Sequence, residues 1–324
     1  MKPLLTTLLI FSISIGFAQK KIIGTSFLKN NGTYVTVRDS ADYYRIVTEP
    51  DSGSALFNVA EYYKNGTKRL IGKSKNSEHP LFEGPCETFY KSGGRYCTCT
   101  YRDGARVGDE YFFFPNGKTY LVLTFPADNN RYNEGKDVSL IKANYDSLGT
   151  ALVENGNGYC KSLDETFKEV VEEGNIKNGK HDGLWKGYYK KTKLGFTENY
   201  KDGELISGTA TFGDGSSATY TKTRGLPPEF KGGLEAFSKY LGKNISYPKI
   251  DRENNIHGTV VLSFVVEKDG KLTDVKVFRS VSPTIDAEAV RVIEKCPPWV
   301  PGTQFGRPVR VSYSVPVNFS LTGN

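Results

Sequence analysis

Glycine-bearing turns followed by aromatic stretches recur through the middle of this chain, and that period constrains the fold more than any other feature. Four segments align: GPCETFYKSGG from Gly84, GDEYFFFPNGK from Gly108, GLWKGYYKKTKLG from Gly183 and GTATFGDGSS from Gly208. Their opening glycines fall about 24 residues apart, with the interval from Gly108 to Gly183 close to three periods. A second turn precedes three of them, in RDGARVG at Arg102, KNGKHDG at Lys177 and KDGELISG at Lys201. Asn-Gly and Asp-Gly supply the positive φ angles that two-residue hairpin turns need, so each unit reads as turn, aromatic strand, turn, strand. One hairpin is marginal in water, whereas several stacked in register bury a continuous apolar stripe. Residues 57–223 are therefore expected to form an elongated all-β array of antiparallel hairpins, preceded by an N-terminal β segment over 19–56.

The pattern resembles MORN-type repeats, well in the four segments and poorly from about Asp128 to Val170. The resemblance implies a binding or spacing surface without a shared activity. A length of 324 residues suggests two or three domains, and 20 Tyr with 19 Phe lean toward β-structure. The net charge of +7 is spread along the chain without a basic block, and the aromatics lack an RNA-binding arrangement, so nucleic acid is set aside as a partner.

Residues 1–18, MKPLLTTLLIFSISIGFA, combine a basic start at Lys2, an apolar run from Leu4 to Phe17 and small residues at Gly16 and Ala18. This is the grammar of a signal peptide cleaved after Ala18. The apolar run is shorter than the ~20 residues that span a bilayer, which favours export to the periplasm over an inner-membrane anchor. Five cysteines, Cys86, Cys97, Cys99, Cys160 and Cys296, then enter an oxidising compartment. The turn at Ser92-Gly93-Gly94 brings Cys86 across from Cys97 and Cys99, with Cys99 the favoured disulfide partner. The C-x-C pair has no second Cys or His pair nearby, and His79, His181 and His257 are far apart, so packed thiols or a disulfide are expected rather than a metal site. No cofactor is expected.

At RGLPPEFKGG the composition changes: Pro227 and Pro228 interrupt strands, Gly232 and Gly233 loosen the backbone, and residues 224–233 read as a linker. Beyond it, residues 234–324 read as an α+β domain. Leu234, Phe237, Leu241 and Ile245 recur at helical spacing up to about Gly242. Val260, Leu262, Phe264 and Val266 alternate along a strand that Asp269-Gly270 turns back into one carrying Val275 and Val277. Ser282-Pro283 can start a second helix with a stripe of Ile285, Ala289, Val292 and Ile293. In the last strand Val309, Val311, Tyr313, Val315, Val317 and Phe319 face inward, and Arg310, Ser312, Ser314 and Asn318 face out. Two helices on a three-stranded antiparallel sheet follow.

The Gly-Gly run before a helix, the YP pair, GTVVLSFVVEKDGKLTDVKV, the DAEAVRVI helix, PPWVPG and RPVRVSYSVPVNF keep an order and spacing similar to the TonB C-terminal domain. That resemblance implies a domain gripping an extended peptide, the TonB box of an outer-membrane receptor, by strand addition. Carried over, the docking edge is Val309, Arg310, Val311, Ser312, Tyr313, Ser314 and Val315, and the corner around YP, comprising Asn244, Ile245, Ser246, Tyr247 and Pro248, also contacts receptor. Core packing is the favoured role for Trp299, and for Tyr247 packing and contact stand level. Three departures qualify the likeness. The N-terminal helix and Pro-rich spacer of a full energy transducer have no counterpart here, and Lys249-Ile250-Asp251-Arg252 follows YP where small residues are usual. Cys296 takes a place usually apolar and is expected to be a buried thiol.

Three functions remain: a periplasmic TonB-family adaptor bound to a receptor or other envelope protein, an envelope scaffold that has lost receptor binding, and an enzyme. No nucleophile elbow, metalloprotease helix or phosphate loop is present in the sequence, so catalysis is not expected. An exposed edge strand also invites a homodimer.

Overall fold

The computed structural model describes residues 20–129 and 139–321; the expected signal peptide and its cleavage point lie outside them. Two compact units divide the chain, Met1–Asn157 and Gly158–Asn324.

In the first unit, strands from Ile22–Leu28 to Ala151–Glu154 form an antiparallel meander. The N-terminal segment is part of it, since Tyr43–Thr48 pairs with Phe57–Tyr63. The Asp-Gly turn works as the sequence suggests, with φ of 50° at Asp103 and 78° at Gly104. Strands Leu140–Tyr145 and Ala151–Glu154 continue the array where its repeat is weakest. The turn after them, Asn155-Gly156, again has positive φ at both residues. Two carboxylates are almost fully enclosed. Glu61 accepts from Arg45 at 2.7 Å and from Arg69, and Glu110 accepts from Arg106 at 2.9 Å. A buried charge requires such a partner.

The second unit opens with six antiparallel strands, from Asn157–Leu163 to Ser217–Lys222. Glycine faces an aromatic residue across three of these pairings: Gly174 opposite Trp185, Gly187 opposite Phe196 and Gly208 opposite Tyr220. Each ring lies on its glycine. A Cβ on Gly187 would fall 2.3 Å from the Phe196 ring, and one on Gly174 would fall 2.4 Å from the Trp185 ring. Side-chain bulk is therefore supplied from one strand only at these three pairings; of the repeat's opening glycines Gly208 is one of them, whereas Gly84, Gly108 and Gly183 have positive φ and open space where a Cβ would sit.

The α+β domain follows within the same unit. Its sheet runs in the order Leu272–Arg279, Gly258–Val266, Val311–Phe319, antiparallel throughout. Helices Gly233–Asn244 and Pro283–Glu294 pack on one face. Alternation decides which face: Val260, Leu262, Phe264 and Val266 are fully buried, as are Ile285, Ala289, Val292 and Ile293. Each such side chain contributes roughly 1.5–3 kcal/mol by leaving water, Ala less. The Ser282 side chain caps the second helix by accepting from the Ile285 amide at 3.1 Å, with Pro283 at its start.

Several expectations need correction. Leu234 is 78% exposed because the first helix turns Phe237, not Leu234, to the core. Val277 is exposed, in a strand whose register against the central one shifts twice. Residues Lys249–Glu253 form a short helix, and its Asp251 is buried, accepting from Ser282 Oγ at 2.7 Å and from Thr284. The segment 224–233 is not a loose linker. Gly225–Leu226 pairs with Thr303–Gln304, and the Glu229 and Val300 backbones bond reciprocally at 3.0 and 2.8 Å. The compact units accordingly divide inside the hairpin array rather than at this segment.

Candidate peptide-docking edge

Val311–Phe319 pairs with the central strand on one side, and no described strand pairs with its other side. Pro316, opposite Val261, fixes which amides point outward. Proline has no N–H, so it fits only where the ladder does not call for one. Antiparallel alternation then turns the amides of Ser312, Ser314 and Asn318 to the open edge, and those of Tyr313, Val315 and Val317 into the sheet. The side chains of Ser312, Ser314, Pro316 and Asn318 are exposed, while Val315, Val317 and Phe319 are buried. This edge can accept an extended backbone.

The strand begins at Val311, not at Val309 as expected. The Val309 amide is used internally, donating to the Gly302 carbonyl at 2.9 Å. Arg310 is held back by Glu267 at 2.8 Å and Asp274 at 2.6 Å. Both residues therefore lead into the edge rather than form it, and the edge extends instead through Asn318.

The corner of Asn244 to Pro248 lies at the other end of the strand. Tyr247 meets the Phe319 ring edge-on at 5.8 Å, and its hydroxyl donates to the Ile256 carbonyl at 2.6 Å. The Ser246 amide donates to Glu288 at 2.6 Å, and the Asn244 carbonyl accepts from Arg291 at 2.7 Å. Ile245 packs against the core, whereas Asn244 and Ser246 are exposed. Core contact and exposure are thus both true of this corner. Trp299 is a core residue, 5% exposed, surrounded by Phe230, Phe237, Phe264 and Tyr313. Its indole N–H donates to Cys296 Sγ at 3.4 Å, and burial raises the pKa of that half-buried thiol.

Sequence reasoning missed how this domain is seated. The hairpin of Thr303–Gln304 and Arg307–Pro308 carries Phe305 at its tip, with φ of 49° at Phe305 and 75° at Gly306. Phe305 inserts among Tyr189, Leu194, Phe196, Leu205 and Tyr220 of the preceding strands. Its amide donates to the Arg224 carbonyl. The Arg224 guanidinium bonds Glu172 at 2.8 Å and Glu198 at 2.6 Å, and stacks over Phe196 at 4.5 Å. Burial alone would raise the Glu198 pKa, but hydrogen bonds from Arg224, Tyr220 and Tyr200 outweigh it and lower the value. Arg307 adds an ion pair to Asp214 at 2.6 Å. No local pattern signals this network, since the cation that pairs with Glu198, Arg224, comes from beyond the next two strands.

In the first unit, Cys86 stands directly opposite Cys99, as the hairpin register implies. Ligand atoms of Cys97, Cys99 and Glu110 lie within 4.8 Å of one another. These residues could hold a soft cation, although Arg106 already neutralises Glu110. Hydrogen bonding between thiols, then burial, raises the pKa of Cys86 and Cys97, while the same bonds lower that of Cys99.

Comparisons with known proteins bear on the α+β domain alone. Residues 243–321 match the family model for the Gram-negative bacterial TonB protein C-terminal. A solution structure of the Helicobacter pylori TonB C-terminal domain is 24% identical, covering 28% of this chain and 96% of its own, with a TM-score of 0.23. A longer stretch of that domain is 23% identical, covering 28% and 82%, with a TM-score of 0.22. No curated protein matches the chain. Among the described residues, no helix is long and apolar enough to cross a membrane.

Proposed function

We propose, from the premise that residues 243–321 form a TonB C-terminal domain, that this protein is an exported periplasmic adaptor docking an extended peptide of an outer-membrane receptor on Val311–Phe319. The observation that carries the reading is the unpaired edge, with its outward amides at Ser312, Ser314 and Asn318. In strand addition those amides and their carbonyls supply affinity, and the alternating side chains supply selectivity. Pro316 removes one donor, so the register that avoids it is favoured. It also counts against continuous pairing of two copies of this edge.

The hairpin array serves as a binding or spacing surface that holds the domain in the envelope, and the role is binding rather than catalysis. The second reading, a scaffold without receptor contact, is supported by the share of the chain that the array takes, from Ile22–Leu28 to Ser217–Lys222. A photocrosslinking residue at position 314 of the full-length protein separates the two. Crosslinks to outer-membrane receptors are expected; crosslinks to wall-associated proteins alone would favour the scaffold.

A further inference from the structure

Where the last strand begins, a groove of about 600 Å³ opens between the α+β domain and the strands that precede it. Pro308 and Val309, which lead directly into Val311, line one side; Tyr189 and Phe212 give the other an apolar surface. Lys191 and Lys268 reach it from different elements, the turn between Lys180–Tyr189 and Leu194–Lys201 and the turn between the first two strands of the domain's sheet. Both lysines are exposed. The third cation, Arg307, is committed to Asp214.

We infer that this groove receives the part of a docked peptide that runs past Val311, and that it selects an acidic segment with an apolar side chain. The inference rests on the strand-addition reading above and deepens it. A peptide paired along Val311–Phe319 is extended, advancing ~3.3 Å per residue. Its next two or three residues beyond Val311 meet Val309 and Pro308, the groove's own lining. There the aromatic wall offers burial to an apolar side chain, and two lysines that make no ion pair among the described residues offer charge complementarity to Asp or Glu. Specificity would then be read at the seam between the domain and the array, which gives the array a direct part in choosing the receptor.

The test uses the full-length protein and three fluorescent peptides: a synthetic nine-residue TonB-box peptide, and the same peptide with Asp-Glu-Leu added at its N-terminus or at its C-terminus. Both ends are needed because the direction of the added strand is open. One extended peptide is expected to bind about three- to tenfold more tightly than the core at low salt, since exposed ion pairs contribute modestly and are screened. The double variant Lys191→Glu, Lys268→Glu should lose that gain and bind the core peptide as the parent does. The gain should also shrink at high salt. Equal binding of all three peptides, or a gain that survives charge reversal, would overturn the inference while leaving the edge intact. If the core peptide itself fails to bind, the docking reading falls and takes this inference with it.

Discussion

Replacing Phe305 by alanine should release the α+β domain from the array without unfolding it. Phe305 is 5% exposed, and its ring lies 5.4 Å from Phe196, 5.5 Å from Tyr220 and 6.3 Å from Tyr189. Truncating a buried Phe to Ala costs about 3–5 kcal/mol. None of those contacts belongs to the domain's own core, so the cost falls on docking. At about 1.36 kcal/mol per tenfold, the lower figure corresponds to a shift of more than about a hundredfold toward the undocked form. Hydrogen exchange on the full-length protein reads this directly. Position 305 donates its amide to Arg224, and this amide should lose about two orders of magnitude of protection, with Ser217–Lys222 loosening alongside it. Amides of Val260 to Phe264, in the central strand, should change little. Unchanged protection at position 305 would refute the reasoning. Equal loss in the central strand would also refute it, by showing that Phe305 supports the domain itself.

Acid should weaken the same seam. The folded-state pKa of Glu198 is lowered, so its contribution is present above the unfolded value of about 4.3 and is lost as pH falls through the lower folded value. Glu198→Gln should flatten that dependence, as followed by exchange at Phe305; an identical acid profile in the variant would assign the effect elsewhere. Peptide mapping without reductant should find Cys86 joined to Cys99, because the register places them directly opposite each other and the expected compartment is oxidising. Free thiols at Cys86, Cys97 and Cys99 in protein from the envelope would contradict the assigned compartment. N-terminal sequencing of that protein should begin at Gln19, and a chain retaining Met1 would revive the anchored form.

The domain was legible because its signals are local and redundant. Val260 to Val266 form an apolar run of strand length whose burial alternates, Asp269-Gly270 closes the hairpin, and Ser282-Pro283 starts a helix whose apolar stripe is complete. Hairpin turns were legible for the same reason, since Asp103-Gly104, Asn178-Gly179 and Asp202-Gly203 all adopt positive φ. The seam was not legible. Thr303–Gln304 and Arg307–Pro308 are two-residue strands, too short to show any period, and the partners of Phe305 lie far back in the chain. Glu61, Glu110 and Glu198 read as ordinary surface acids until tertiary packing encloses them beside arginines. At the docking edge, alternation gave the correct faces from Val311 onward. It misplaced the start because the Val309 amide and the Arg310 side chain are bound by residues that no local pattern reveals.

Peptide titration of the full-length protein and its Ser312→Pro variant decides whether the open edge docks peptide. The Ser312 amide points to the open edge and its side chain is exposed, so proline there removes a donor to the peptide and none from the ladder with the central strand. Ser312→Ala is the control, since it keeps the amide. The account predicts that TonB-box peptides bind the parent and the alanine variant alike, and that the proline variant loses binding while circular dichroism shows it folded. Equal affinity for the parent and a folded Ser312→Pro protein would contradict docking on this edge.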